Sequence, residues 1–595
     1  MSTIILGINA YHGDSAACLI KDGKIIAACE EERLNRVKHY AGFPSLAIQT
    51  CLKQTNLKLK DINYIGISKD PKVHLLNKIF YSLTHGWQFS KLINSRLRNA
   101  SHMKNICQTM EQTLSEKLSP QTKVHYVEHH LAHLGSAFFV SPFNEAAILS
   151  VDGFGDFVST KSAYGRNNSI TTLNEIGFPH SLGIFYTAMT QFLGFPNYGD
   201  EYKVMALAAY GEPRFESSFK KIIKLDFKKG FHLNLDYFTH HSKGIEMNWE
   251  NGYPTLSSCY SQKMIEEFGP SRLAHEAITQ HHKDLASSVQ KTFETAYFHL
   301  INLLYRKTYS QNLCLAGGCA FNSVANGKIR EFSPFQNIFI QPAAGDAGTA
   351  LGAAFYIQHQ ILSQARQYEM KQTYLGPEYS SEEIETAVQS FGFNFTKLDD
   401  PELIKQTAQA LKDGKIIGWF QGKMEFGPRA LGNRSLLADP RRNEAREWLN
   451  QKIKLREDFR PFAPSVMKEE VDEYFEDAQS DFFMTRVFKI KKDKQKLIPA
   501  VTHVDGTGRL QVVEQESNPK FWSLLNEFKK LTGIGILLNT SFNENEPIVC
   551  SPKEALDCFR RTQFDYLVIG NFFIEREKNH AEQQEELCHS GVTKK

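Results

Sequence analysis

No apolar run in the sequence approaches the roughly 18 residues that would cross a bilayer, which excludes a spanning helix. The ten cysteines are scattered with no CxxC pair, and the closest two, Cys314 and Cys319, fall in one segment. That excludes a cysteine zinc ribbon and a disulfide framework, and it is the usage of a reducing compartment, so a cytoplasmic location is expected. Charge of one sign is also lacking: the formal net charge is +3 over 595 residues. So small an excess excludes a dominant electrostatic contact with nucleic acid or an anionic membrane, and any anion must be bound locally. The opening MSTIILGINAYHGDS has no basic leader and breaks at Asn9, His12 and Asp14, so it is expected to be a strand and not a signal peptide.

What is present is an ordinary globular composition, 42% hydrophobic and 23% charged, over a length that calls for roughly two to four domains. TIILGINA, the turn YHGDS and AACLIKDGKIIAACEEE read as strand, turn and hairpin, with Asp22-Gly23 at the hairpin turn. AAILSVDG followed by FGDFVSTKSAYG repeats that logic, which points to an internally duplicated α/β domain of the actin-like type. NLCLAGGCAFNSVAN and IFIQPAAGDAGTALGAAFYIQ are strand, small-residue turn and helix; the glycines Gly317 and Gly318 let backbone approach a ligand or simply turn the chain. A polar stretch from about 361 to 373 is the expected domain boundary. Beyond it, strands are predicted at KIIGWF and GIGILLNTSF, helices at SSEEIETAVQSF, DPELIKQTAQALKDG and SPKEALDCFRRT, and a polar tail over 579–595.

Three histidines, His129, His130 and His133, are spaced to share a helix face. HExxH hydrolases are excluded because His130 stands where their glutamate base is needed. Read alone, the cluster fits a polar helix stripe better than a metal site. Asp152 at the end of a predicted core strand and Asp346 in AAGDAGTA are each explained as turn formers. Together with two histidines on one cleft they would make a nitrogen and oxygen site suited to Fe(II), Mn or Zn.

The second half carries denser chemistry. From Gln421 to Arg460 ten Lys/Arg stand against six Asp/Glu, interleaved with Gly, Pro and Phe. Arginine forks suit phosphate, and a charged exterior explains Arg429, Arg434 and Arg460 poorly. LLNTSFNENEPIVCSP offers Asn539, Thr540, Ser541 and Asn543 at a strand end, either to orient a polar ligand or to cap the strand; HVDGTGR offers His503, Asp505 and Arg509.

In this order, HGDSAACLIKDGKIIAACEEERLNRVKH, EHHLAHLGSAFF, VDGFGD, PHSLGIFYTAMTQFLGF, GDEYKVMALAAYGEP, AGGCAFN, GDAGTALGAA, EFGPRALGNRSLLADPR, FRPFAPSV, HVDGTGR and LNTSFNENEPIVCSP resemble the NodU/CmcH type of O-carbamoyltransferase over nearly the whole chain. The resemblance implies two domains. Residues 1–362 would be an actin-like domain, similar to threonylcarbamoyl-transfer enzymes, that moves a carbamoyl group to a hydroxyl acceptor on a small molecule or glycan. Residues 374–578 would be an α/β domain, similar to threonylcarbamoyl-adenylate synthases, that forms carbamoyl-adenylate from carbamoyl phosphate and ATP, with Mg.

By the same resemblance His129, His133, Asp152 and Asp346 hold Fe(II) or another divalent metal. His12, Lys38 and Lys203 line the transfer site, His12 as the base, with Gly317, Gly318 and Asn322 toward the nucleotide. Lys423, Arg429, Arg434, Lys454, Arg460, Asn539 and Ser541 hold carbamoyl phosphate and ATP, and a homodimer is compatible. Residues 215–268, rich in Tyr, Phe and His, match the family least and either shape an acceptor pocket or form a variable surface loop. Rival readings are a tRNA threonylcarbamoyl-type transferase, disfavoured by the low net charge, an actin-like ATPase or sugar kinase, which leaves the arginines unexplained, and a non-catalytic binder.

Overall fold

The turn at Asp22 and Gly23 has φ of 50° and 78°, the left-handed pair that a two-residue hairpin favours. It joins β2 (Ala16–Lys21) to β3 (Lys24–Glu30), and β2 lies antiparallel to β1 (Ile4–Asn9). β4 (Tyr64–Ile67) and β5 (Lys123–Tyr126) then add in parallel on the other side of β1, giving the order β3-β2-β1-β4-β5. α1 (His129–Phe138) follows β5. The computed structural model describes residues 2–76, 78, 81, 105–250 and 253–576, so the tail expected over 579–595 lies outside the described residues.

The plan then repeats. β6 (Glu145–Gly155), β7 (Val158–Arg166) and β8 (Ser169–Gly177) form an antiparallel meander, and β9 (Asn312–Ala316) and β10 (Asn337–Ile340) join in parallel beyond β6. Read from β8, the order β8-β7-β6-β9-β10 matches that of the first sheet strand for strand. This is the duplication that the repeated strand-turn-strand segments predict. Between β8 and β9 the chain inserts a region that includes α2 (Gln280–Thr308), and α3 (Gly348–Phe355) follows β10 and packs on α1.

Residues 363–373 form no helix or strand. The remaining part is an eight-stranded mixed sheet, made of β11 (Phe395–Lys397), β12 (Ile417–Phe420), β13 (Arg434–Ala438), β14 (Ala463–Met467), β15 (Gln511–Val513), β16 (Ile536–Ser541), β17 (Tyr566–Ile569) and β18 (Phe572–Glu575). Its order is β11-β18-β17-β12-β13-β16-β14-β15. Each part has its own apolar core, but one further cluster mixes Ile5, Leu134 and Leu351 with Phe426, Leu431 and Phe483. An apolar seam of this kind holds the two parts in register, because separating them would return those side chains to water. Polar contacts add direction: Arg33 donates to the Gly427 carbonyl at 3.0 Å and Arg36 to that of Ile548 at 2.8 Å.

Candidate active site

The entry to α1 explains where its histidines point. Glu128 caps the helix by accepting from the backbone N–H groups of His130 and Leu131 (3.1 and 2.8 Å), and Lys161 neutralises it at 3.0 Å. His129, His130 and His133 are all buried, so the polar stripe that the spacing favours is not what forms. His130 donates Nε2–H to the Val158 carbonyl (3.0 Å) and accepts from Ser150 Oγ at Nδ1 (2.9 Å); burial lowers its pKa to about 3, and it packs as a neutral ring.

His129 and His133 instead turn Nε2 toward each other, 3.0 Å apart. His133 Nε2 lies 2.9 Å from Asp152 Oδ2, and both Nε2 atoms lie 3.4 Å from Asp346 Oδ1. One ligand atom from each of the four residues falls within 4.8 Å of the others. Ligand atoms about 2.1 Å from a shared cation would stand about 3.0–3.4 Å apart, so the set fits a small divalent ion. The hydrogen bonding agrees: Asp152 Oδ2 is buried without a well-formed partner, and two imidazole nitrogens facing at 3.0 Å share at most one proton. Burial opposes ionisation of Asp346, yet His12, His129 and His133 hold it well below the usual carboxylate range. The pocket therefore favours added positive charge.

Close approach is built in by glycine. A Cβ on Gly155 would lie 1.9 Å from His129 Cδ2, so only glycine lets β6 pass the ring. Gly317, at φ +87°, would put a Cβ 2.3 Å from the Val151 carbonyl oxygen; it is a turn residue and does not line the cavity described below. Gly318 does line it, beside Asp152. Asn322 also lines it, but its amide is occupied by Gln290 and by the Ala325 N–H.

A cavity of about 1430 Å³ joins this cluster to the second part of the chain. His12 and Lys38 line it; Nδ1 of His12 bonds Asp346 Oδ2 at 2.6 Å, which leaves Nε2 as the second ring nitrogen. Lys203 does not line it, and pairs at the seam with Asp200 (3.1 Å) and Glu457 (3.3 Å). On the opposite part, Arg429, Arg460, Asn539 and Ser541 line the cavity together with Arg456 and Arg509. Arg456 was not anticipated as a ligand group, although it stands four residues before Arg460 in KLREDFR; Arg509 was noted only beside its glycine turn.

These arginines repel one another. Burial lowers the pKa of Arg429 to about 10, and burial with Arg429, Arg456 and Arg460 pushes Arg509 well below the guanidinium range. Arg509 Nε and Arg456 Nη2 are buried without hydrogen-bond partners. Three residues expected beside them are elsewhere. Arg434 is fully buried, donates to the carbonyls of Gln421, Asn433, Pro377 and Gly422, and stacks 3.6 Å from the Phe420 ring centroid, so it holds the fold together. Lys423 is exposed in the bend that follows β12 and does not line the cavity. Lys454 is buried with Nζ donating to the Asn543 carbonyl and Oδ1 (2.6 Å each), so it staples the loop behind Ser541.

Residues 4–355 match the family model described as the carbamoyltransferase N-terminus, and residues 408–576 match that of the carbamoyltransferase C-terminus. The chain belongs to the carbamoyltransferase family. An uncharacterized protein of Synechocystis is 40% identical across 98% of each chain. Nodulation protein NolNO of Sinorhizobium fredii is 38% identical over 96% of this chain and 80% of its own. The 3'-hydroxymethylcephem-O-carbamoyltransferase of Streptomyces clavuligerus is 27% identical over 73% and 77%. Component A of the Acidaminococcus fermentans (R)-2-hydroxyglutaryl-CoA dehydratase overlays 60% of this chain and 97% of that one, at a TM-score of 0.33 and 15% identity. This carbamoyltransferase is thus an enzyme on an α/β fold, and no described helix is long and apolar enough to cross a membrane.

Proposed function

We propose that this carbamoyltransferase works in two steps on one cavity. Residues 374–578 take carbamoyl phosphate, one water and ATP, with Mg, to carbamoyl-adenylate: water takes the phosphoryl group and releases phosphate, and an oxygen of the carbamate left behind bonds to the α-phosphorus of ATP as the bond to pyrophosphate breaks. Residues 1–362 then pass the carbamoyl group to a hydroxyl of a sugar or natural product, releasing AMP. The observation that carries this reading is the meeting, on one cavity, of a cluster fit for a cation and a cluster fit for phosphates. The low net charge argues against a tRNA acceptor, and a relative named for a hydroxymethyl acceptor supports an alcohol.

In the first step Arg429, Arg456, Arg460 and Arg509 bind and orient the phosphates and relieve their own repulsion by doing so. Asn539 is set to orient the ligand: its amide N–H group donates to Ser465 Oγ at 2.9 Å and its Oδ1 is left without a partner. In the second step His12 takes the acceptor hydroxyl proton at Nε2 while Asp346 fixes the ring through Nδ1. The acceptor oxygen bonds to the carbamoyl carbon, and the bond from that carbon to the phosphate oxygen breaks. Lys38 lines the cavity; burial disfavours its charge and Glu32 supports it, and an incoming phosphate would favour its protonated form. Fe(II) or another divalent ion held by His129, His133, Asp152 and Asp346 would supply Lewis acidity at that phosphate.

Metal-replete protein given ATP and carbamoyl phosphate, with no acceptor, is expected to release pyrophosphate and to yield carbamoyl-adenylate by mass spectrometry. Absence of both products would remove the activation step from this reading. Elemental analysis of the purified protein identifies the metal.

A further inference from the structure

Phe459, the residue before Arg460, belongs to the second part of the chain but packs into the first. It lies against the apolar core of the first part, with its ring 6.4 Å from that of Phe195. The helix Glu201–Leu207 of the first part meets the same short segment at two more places. Lys203 Nζ lies 3.3 Å from Glu457 Oε1, and the Arg460 guanidinium carbon stands 4.6 Å over the centre of the Tyr202 ring. The segment that ends in Arg460 is therefore held from across the seam at Glu457, Phe459 and Arg460.

Charge shows what this does to Arg460. Glu457 Oε2 lies 3.6 Å from Arg460 Nη1, beyond hydrogen-bond reach, while Lys203 is the nearer cation to that carboxylate. Burial opposes ionisation of Glu457, and Lys203 with Arg460 holds it below the usual carboxylate range. Asp200 in turn orients Lys203 at 3.1 Å. Neither Lys203 nor Glu457 lines the cavity, whereas Tyr202, Phe459 and Arg460 do. The lysine thus draws a carboxylate aside from a guanidinium that has an anion to receive. Tyr202 acts on the other side of the same problem. A ring face attracts a cation without occupying an N–H group, so the donors of Arg460 stay available to phosphate oxygens.

We infer that Tyr202 and Lys203 are positioning residues for Arg460, supplied by the part of the chain that does not carry the arginine cluster: Tyr202 supports one face of the guanidinium and Lys203 holds Glu457 off its N–H groups. This rests on the reading of the arginines as the phosphate site, and adds that the site is completed from the other part of the chain. Without Lys203, the partly buried Glu457 carboxylate would turn to Arg460 for compensation, and the fork would be occupied before a phosphate arrived.

Calorimetric titration of pyrophosphate into the full-length protein tests this. Lys203→Met is expected to weaken binding about tenfold, and adding Glu457→Gln to it to bring affinity back to within about twofold of wild type, because an amide does not compete for the guanidinium. Glu457→Gln alone is expected to bind like the wild type, since Lys203 already holds that side chain aside; a gain of about fivefold or more there would mean that the pair acts through net charge only, and overturns the role given to Lys203. Tyr202→Leu is expected to weaken binding about threefold and Tyr202→Phe to keep it, since the ring face and not the hydroxyl supports Arg460. Equal affinities in the Leu and Phe variants overturn the role of Tyr202, and this pair answers for the inference if Lys203→Met does not fold. A double variant as weak as Lys203→Met, or Lys203→Met as tight as wild type, overturns it as well. Wild-type protein that does not bind pyrophosphate sinks the inference together with the phosphate site. Wild-type protein that shows these contrasts but forms no carbamoyl-adenylate counts against the two-step reaction and leaves the positioning role standing.

Discussion

The histidine–aspartate cluster and the arginine cluster border the same cavity but are unsatisfied in opposite senses. In the first, two buried carboxylates lie within 3.7 Å of two imidazoles whose facing Nε2 atoms share at most one proton, so the anionic charge is only partly compensated. In the second, cations crowd together, and buried N–H groups of Arg456 and Arg509 have nothing to donate to. The first is incomplete without a cation and the second without a polyanion. The proposed phosphate-bearing intermediate, passing from the arginines to the histidine–aspartate cluster, would make use of that contrast.

The contrast can be broken from either side. Arg460→Ala or Arg509→Ala is expected to lower pyrophosphate release on the order of 100- to 1,000-fold, as loss of one oriented charge-stabilising donor does. An assay without acceptor reads this directly, and activity within tenfold of wild type would show that the arginine cluster does not bind the phosphates. His133→Ala should lose the bound metal and carbamoyl transfer while pyrophosphate release stays within about threefold, because removing one of four ligands weakens metal but leaves the arginines in place. Metal content by mass spectrometry and the two half-assays separate these outcomes.

Arg434 sharpens the comparison from within the arginine-rich segment. Arg434→Ala leaves four backbone carbonyls, three of them on buried residues, without their donor, so a stability loss of about 3 kcal/mol is expected in urea unfolding. Loss of activity in folded Arg434→Ala protein would instead place it in the binding site. Pyrophosphate should stabilise the wild-type protein by about 2.7 kcal/mol at a concentration 100 times its Kd, and should not stabilise Arg509→Ala to that extent. Thermal shift against pyrophosphate concentration measures it.

The smallest effect is acid sensitivity confined to the histidine-bearing half. Burial holds folded His240 down to about 4, against about 6.5 in an unfolded chain. Between those pH values the unfolded state binds the extra proton, so this contribution is complete above pH 6.5 and is lost as pH falls toward 4. At pH 5.5 the loss is about 1 kcal/mol. His180, also lowered to about 4 by burial, adds the same sign. A melting temperature that does not fall between pH 7 and pH 5 would contradict it.

The sequence by itself determined the duplicated α/β plan, because repeated apolar strands with Asp-Gly turns leave few pairings, and the strands at KIIGWF and GIGILLNTSF formed as their apolar runs require. It also determined which residue types were available, down to His129, His133, Asp152 and Asp346 in separate segments. Local pattern could not bring those segments together. Helical spacing made HHLAH look like an outward stripe, since spacing is blind to what covers a face, and α1 is in fact packed against α3 and β6. The same blindness applies to arginine: Arg434 and Arg460 share one segment and one chemistry. Arg434 lies on a central strand between two others and its fork is used up by backbone carbonyls, whereas Arg460 precedes a strand where the chain opens to the cavity. Only the tertiary structure decided which charges meet a ligand, because the cost of burying a charge depends on partners supplied by distant parts of the chain.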